Sequence, residues 1–213
     1  GADISIDGLT STVSKLNFPL LSFELSVPGD PSTAAFFAAA AVLVPDSELM
    51  MNRILTNPTR TGFFTALEKM GAEVECIRQW EEAGELMGDL KIFHGPLNAI
   101  TLTNQDIPGL IDELPIIAII ATQAVGKTEV RGAKELRIKE CDRIHAICTN
   151  LKKMGVDIKE LDDGFIINGP TKLKGTQIET FHDHRIAMAF TVAGLIADGN
   201  VILDYPECAF ISY

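Results

Sequence analysis

Leu67-Glu68-Lys69-Met70-Gly71-Ala72-Glu73-Val74-Glu75 returns further along the chain as Leu151-Lys152-Lys153-Met154-Gly155-Val156-Asp157-Ile158-Lys159. In each copy apolar residues at helical spacing run up to a glycine, the residue that most easily takes the left-handed conformation ending a helix. An alternating strand pattern follows. A hairpin is expected to close each copy, ending at His94-Gly95-Pro96 and at Asn168-Gly169-Pro170. Self-similarity of this kind means that one supersecondary unit is used more than once, so the sequence ahead of each copy should also correspond.

The segments ahead do correspond. Residues 34–44, 116–124 and 186–197 are apolar nearly all round and long enough for three turns, which predicts helices buried on every side. Short strand patterns follow at 49–55, 128–131 and 201–203. The common unit is strand, buried helix, strand, amphipathic helix, strand, strand. The expected fold class is therefore α/β (α+β), with repeated βαβαββ units around buried parallel helices at about 27–96, 97–170 and 171–213, the last incomplete. Residues 2–8 read as a strand entering from upstream, and the chain opens on Gly1-Ala2, so a fragment or excised domain is expected.

With 213 residues, 46% hydrophobic and 22% charged, the chain is ample for one sizeable core. Its longest apolar runs are too short to span a bilayer and no charged-then-apolar signal opens it, which predicts a cytoplasmic protein. Cys76, Cys141, Cys148 and Cys208 form no CxxC pair, so neither a zinc site nor a disulfide framework is indicated. The formal net charge of −11 argues against nucleic-acid or anionic-membrane partners. Against that background Arg131, Lys134, Arg137, Lys139 and Arg143 gather in one stretch, which suits a pocket for a small anion; the alternative is balance of nearby acidic surface.

Within that stretch, Arg137-Ile138-Lys139-Glu140-Cys141-Asp142-Arg143 is expected to start an amphipathic helix whose buried face carries Ile144, Ile147, Cys148, Leu151 and Met154. At about 100° per residue Glu140 falls inside that stripe, Arg143 on its edge and Asp142 outside, while Cys141 and Cys148 share the core face. An inward carboxylate and guanidinium must pair or meet a ligand, because an unpaired buried charge costs several kcal/mol. The plain alternative is an internal Glu140–Arg143 ion pair.

Each buried helix opens with polar residues: Gly29-Asp30-Pro31-Ser32-Thr33, Asp112-Glu113-Leu114-Pro115 and His182-Asp183-His184-Arg185. These residues suit either capping or ligand binding, and capping is the favoured reading of Asp30, Asp112 and Asp183, with Pro115 tolerated in the first turn. Asn57-Pro58-Thr59-Arg60-Thr61-Gly62 starts an amphipathic helix through Phe63, Phe64, Leu67 and Met70 in the same way. His182 and His184 could face one metal, yet two ligands without a third define no site. No Gly-x-Ser-x-Gly nucleophile elbow occurs.

Val27-Pro28-Gly29-Asp30 with Ser32-Thr33-Ala34-Ala35-Phe36-Phe37, Asn57-Pro58-Thr59-Arg60-Thr61-Gly62, Asp112-Glu113-Leu114-Pro115-Ile116, Leu136 to Arg143, and Asp183-His184-Arg185-Ile186-Ala187-Met188-Ala189 occur in this order. The set resembles the 5-enolpyruvylshikimate-3-phosphate synthases, over essentially the whole chain, and corresponds to the C-terminal half of that two-domain fold. The resemblance implies that residues 1–26 are the trailing strand region and crossover of a missing N-terminal domain and that 27–213 form the C-terminal domain. It implies transfer of the enolpyruvyl group of phosphoenolpyruvate to the 5-hydroxyl of shikimate 3-phosphate with release of phosphate, in aromatic amino acid biosynthesis. No metal or organic cofactor is implied. Asp112 matches the carboxylate that contacts the shikimate hydroxyls and accepts a proton, and Glu140 the carboxylate that moves a proton at the methylene carbon. Lys139 matches a lysine on shikimate 3-phosphate, while Arg143 and Arg185 match the arginines that hold phosphoenolpyruvate. The chain alone is expected to be inactive.

One departure stands out. Some family members carry a phosphoenolpyruvate-binding lysine after the cysteine that aligns with Cys208, where this chain reads Ala209-Phe210-Ile211-Ser212-Tyr213. Two alternatives remain. The sister transferase acting on UDP-N-acetylglucosamine shares fold and chemistry but not the motifs around Lys139 to Arg143 and Asp183 to Ala189. A non-catalytic domain retaining the fold would have no use for inward charges.

Overall fold

The computed structural model describes residues 2–22, 24 and 26–211. The chain opens with a hairpin of β1 (Ile4–Asp7) and β2 (Thr10–Val13), turning at Gly8, and every described residue from 2 to 22 is exposed. The expected opening strand is thus β1, and its partner β2 follows directly.

The first repeat begins at Gly29, which bridges Ile54 in parallel. It continues through α1 (Pro31–Leu43), β3 (Glu48–Leu55), α2 (Gly62–Lys69), β4 (Val74–Glu82) and β5 (Glu85–Phe93). The second contains β6 (Thr101–Leu102), α3 (Leu114–Ala121), β7 (Gly126–Val130), α4 (Arg143–Lys153), β8 (Asp157–Leu161) and β9 (Gly164–Gly169). The third runs through β10 (Gln177–Ile178), α5 (His184–Gly194) and β11 (Ile202–Leu203) to a 3-10 turn at Pro206–Ile211. Ser212 and Tyr213 lie outside the described residues. Strand order is β3-β5-β4 in the first sheet and β6-β7-β9-β8 in the second, with the crossover pairs β6–β7 and β10–β11 parallel.

The two sequence copies match bond for bond. Gly71 and Gly155 both hold positive φ, 92° and 90°. The amide beyond each reaches back across the helix end, Ala72 N to Leu67 O and Val156 N to Leu151 O, each at 3.0 Å. This is the Schellman closure that glycine permits.

α1, α3 and α5 pack against one another as the predicted buried helices, amid one apolar cluster. All eight residues of α3 are buried, and its Leu and Ile side chains contribute about 1.5–3 kcal/mol each relative to exposure. The alanines of α1 leave room for close approach of its neighbours. Among the described residues no helix is long and apolar enough to cross a membrane.

One expected element differs. The helix over the charged run starts at Arg143 rather than near 137, after a 3-10 turn at Lys134–Ile138. Asp142 leaves the helical region (φ −71°, ψ 87°) and its carboxylate accepts from His145 N at 3.0 Å, so it is the cap. Glu140 and Cys141 precede the helix, and the projection that put Glu140 in the buried stripe and Cys141 beside Cys148 does not apply to them.

Candidate active site

Three helix starts build the site. Asp30 caps α1 by accepting from Thr33 N at 3.0 Å. Asp183 caps α5: Oδ1 accepts from Arg185 N at 2.8 Å and Ile186 N at 3.2 Å. Asp112 was expected to cap α3 and does not. It lies in a 3-10 turn, Ile111–Glu113, one residue too early for a cap, and its carboxylate is directed at cations instead. The start of α1 meets that of α5 at a pocket of about 190 Å³ lined by Asp30, Ser32, Phe36, Arg185 and Met188. The helices therefore run parallel, and their amide ends favour anions at this end of the domain.

Arg143 is the hub. Its side chain is only 1% exposed, far more buried than a position on the stripe's edge suggests. Nε donates to Asp183 Oδ2 at 2.7 Å, Nη1 to Asp112 Oδ1 at 3.1 Å and Nη2 to Glu140 Oε2 at 2.6 Å. The Glu140–Arg143 pair foreseen as the plain alternative is therefore present, as one of three. Glu140 itself is half-exposed, its side chain at 49%. Lys139 Nζ stands 3.4 Å from Asp112 Oδ1, and Arg185 Nη2 stands 3.8 Å from Oδ2. All five residues singled out in the sequence come together: Asp112, Lys139, Glu140, Arg143 and Arg185.

Arg131 and Arg137 go elsewhere, so the expectation of a single cationic pocket is corrected. Arg137 pairs with Asp142 at 2.7 Å and Glu160 at 3.1 Å and donates to two backbone oxygens. Arg131 pairs with Asp163 on the β8–β9 turn. Both are drawn off by acids that the hairpin brings within reach.

The fields inside the cluster follow from this geometry. Burial pushes the Asp112 carboxyl up, but Arg185, Lys139 and Arg143 outweigh it and hold it below the usual carboxylate range. Cys141 lies 3.6 Å from Asp183, and burial together with that carboxylate pushes its thiol up to about 12, the setting of an inert cysteine. His182 packs against Tyr205 with ring centroids 4.7 Å apart and planes inclined by 58°. Among the described residues no group of three His, Cys, Asp or Glu side chains is placed to hold a metal ion.

Two participants escaped the sequence reading. Asp183 reads as a cap in the sequence, yet its second oxygen holds Arg143. Glu113, buried at 5%, places Oε1 at 3.5 Å from Arg185 Nη1. The available signal for Glu113 was an acid directly abutting a wholly apolar helix. Arg60 is also drawn in, donating to Asp30 Oδ1 at 3.1 Å and Ser32 Oγ at 3.3 Å.

Repeated βαβαββ units thus gather four acids, Asp112, Glu113, Glu140 and Asp183, and three cations, Lys139, Arg143 and Arg185, at the starts of their helices. The same fold occurs in the enolpyruvyl transferase NikO from Streptomyces tendae, with a TM-score of 0.68 at 21% identity over 100% of this chain and 48% of that one; this likeness concerns the fold alone. The chain belongs to the EPSP synthase (3-phosphoshikimate 1-carboxyvinyltransferase) family, whose sequence model matches residues 1–213. It is 46% identical to the 3-phosphoshikimate 1-carboxyvinyltransferase of Persephonella marina across 100% of this chain and 50% of that protein. EPSP synthase from Acinetobacter baumannii superposes with a TM-score of 0.95 at 35% identity, covering 100% of this chain and 49% of that one. The chain thus spans about half the length of the relatives it matches.

Proposed function

We propose that this chain supplies the C-terminal half of an enzyme that transfers the enolpyruvyl group of phosphoenolpyruvate to the 5-hydroxyl of shikimate 3-phosphate. The observation that carries the reading is the single guanidinium of Arg143 holding Asp112 and Glu140 together while Lys139 and Arg185 stand over Asp112. The reaction needs two carboxylates, because oxygen loses a proton as carbon gains one. The 5-hydroxyl oxygen bonds to C2 of phosphoenolpyruvate as its proton passes to Asp112, and C3 takes a proton from Glu140. C3 then returns its proton to Glu140, the C2–O bond to phosphate breaks, the double bond re-forms, and the proton held on Asp112 goes to the departing inorganic phosphate.

Arg185 and Arg143 hold phosphoenolpyruvate in this scheme and Lys139 the shikimate phosphate. A guanidinium has five N–H donors, and three of Arg143's are engaged, leaving two for substrate. We assign residues 1–26 to the crossover from an N-terminal domain that completes the shikimate-phosphate site. The exposure of Ile6, Leu9, Phe18 and Leu21 supports that assignment. The four free cysteines suit a reducing compartment, and we assign the protein to the cytoplasm.

The test is made in the full-length protein. Glu140→Gln and Asp112→Asn keep shape and hydrogen bonding, so both substrates should still bind while turnover falls by about 10²–10⁴. Parental turnover in either variant would reduce that carboxylate to an ion-pair partner of Arg143. A non-catalytic domain would show itself by failing to bind both substrates in titrations.

A further inference from the structure

Glu113 takes no part in the steps above, yet it is buried directly behind Arg185. Its side chain is 7% exposed, and it ends the 3-10 turn that leads into α3. The Ser32 hydroxyl of α1 helps to stabilise the charge of this carboxylate, and Ser32 Oγ accepts from Arg60 at 3.3 Å. Glu113 therefore ties the first repeat to Arg185 of the third. Burial drives its carboxyl up, and the Ser32 and Arg185 contacts offset this only in part. A glutamine would fill the same space without that cost, so packing alone does not account for a charged group here.

The position of Arg185 supplies a reason. Nη1 donates to the Asp112 backbone oxygen at 3.2 Å and faces Glu113 Oε1 at 3.5 Å. Nη2 stands 3.8 Å from Asp112 Oδ2, beyond hydrogen-bond range. Among the described residues, Nη2 and Nε of Arg185 make no hydrogen bond. The guanidinium thus makes one long hydrogen bond to the Glu113 carboxylate and none to the Asp112 carboxylate. Without the charge of Glu113, the nearest acceptor for Nη2 is Asp112 Oδ2, and a small rotation would close that gap.

We propose that Glu113 is a positioning residue: it holds Arg185 off Asp112, keeping the arginine fork open to the phosphoenolpyruvate anion and the Asp112 carboxylate open to the shikimate hydroxyls. This rests on the roles assigned above to Arg185 and Asp112. Glu113 acts only through Arg185 and touches no reacting atom.

The experiment uses the full-length protein carrying Glu113→Gln and, separately, Glu113→Asp. In a crystal structure of the Glu113→Gln protein, Arg185 Nη2 should lie within hydrogen-bond distance of Asp112 Oδ2. KM for phosphoenolpyruvate should rise about tenfold, the effect of losing one charge-assisted contact, with a smaller change in kcat. Glu113→Asp keeps the charge and should retain most of the affinity. An unmoved Arg185 with unchanged KM, or equal loss in both variants, would overturn the proposal. A parent protein without transferase turnover would instead defeat the assigned function, and the Arg185–Asp112 distance in the variant would still decide the role of Glu113.

Discussion

Arg143 and Arg185 stand side by side but carry different burdens. Arg143, at 1% exposure, neutralises Asp183, whose side chain is fully buried, so its replacement strands a charge in the core. Arg143→Lys keeps the charge but not the three-way fork, and should lower stability by about 1.5–3 kcal/mol, read as a fall in Tm. Arg185→Lys should leave Tm nearly unchanged and cost roughly 1–3 kcal/mol in phosphoenolpyruvate binding, read by titration of the full-length protein. Equal effects of the two on Tm would show that burial does not separate their roles. Glu113 gives a pH signature. Its folded pKa is raised above the unfolded 4.5, so its share of stability is complete below that value and is lost as pH climbs through the folded pKa. Glu113→Gln removes that loss, and its Tm relative to the parent should be higher at pH 8 than at pH 4. A pH-independent difference would mean that Glu113 is not a strained acid. Glu140 and Arg143 were legible because charged side chains beside an apolar helix must be paired or liganded; Asp112, Lys139 and Arg185 were legible only through the resemblance, Asp112 reading as a cap from its position alone. Glu113 and the second role of Asp183 were not, since a capping acid and an ion-pairing acid look alike until the partner from a distant repeat is known.

The elements were legible wherever a period was present. Apolar spacing of 3.6, alternation of two and a terminal glycine located the buried helices, α2, most of α4 and both hairpins. Residues 137–142 have no such period, and the choice between caps depended on Asp142, whose backbone departs from helix. α1 begins at Pro31, ahead of the apolar run, because Asp30 caps it and proline suits the first turn. Inside the second sheet, Thr128 on β7 is fully buried, and its hydroxyl has no hydrogen-bond partner among the described residues. Thr128→Val retains the shape and removes the orphan group, so stability should rise by about 1 kcal/mol, measured by denaturant midpoint. A loss of stability would mean that the hydroxyl finds a partner, such as an ordered water, in solution.

At the scale of the molecule, three repeats place their buried helices in parallel so that residues far apart in sequence meet at one end. The repeat and the resemblance made this architecture readable from the chain; the sharing of one guanidinium among three acids was not, because it depends on how the helix starts are stacked. The relatives are about twice as long, so the 213-residue chain alone should fold without measurable transferase turnover, its substrate positioning being incomplete. The full-length protein should turn over. The most direct test follows deuterium from solvent into the methylene group of phosphoenolpyruvate recovered during turnover with shikimate 3-phosphate. The full-length parent should incorporate deuterium, and Glu140→Gln should slow both incorporation and phosphate release by about 10²–10⁴. Incorporation at the parental rate in the Glu140→Gln protein would contradict the assignment of the proton transfer at carbon to this cluster.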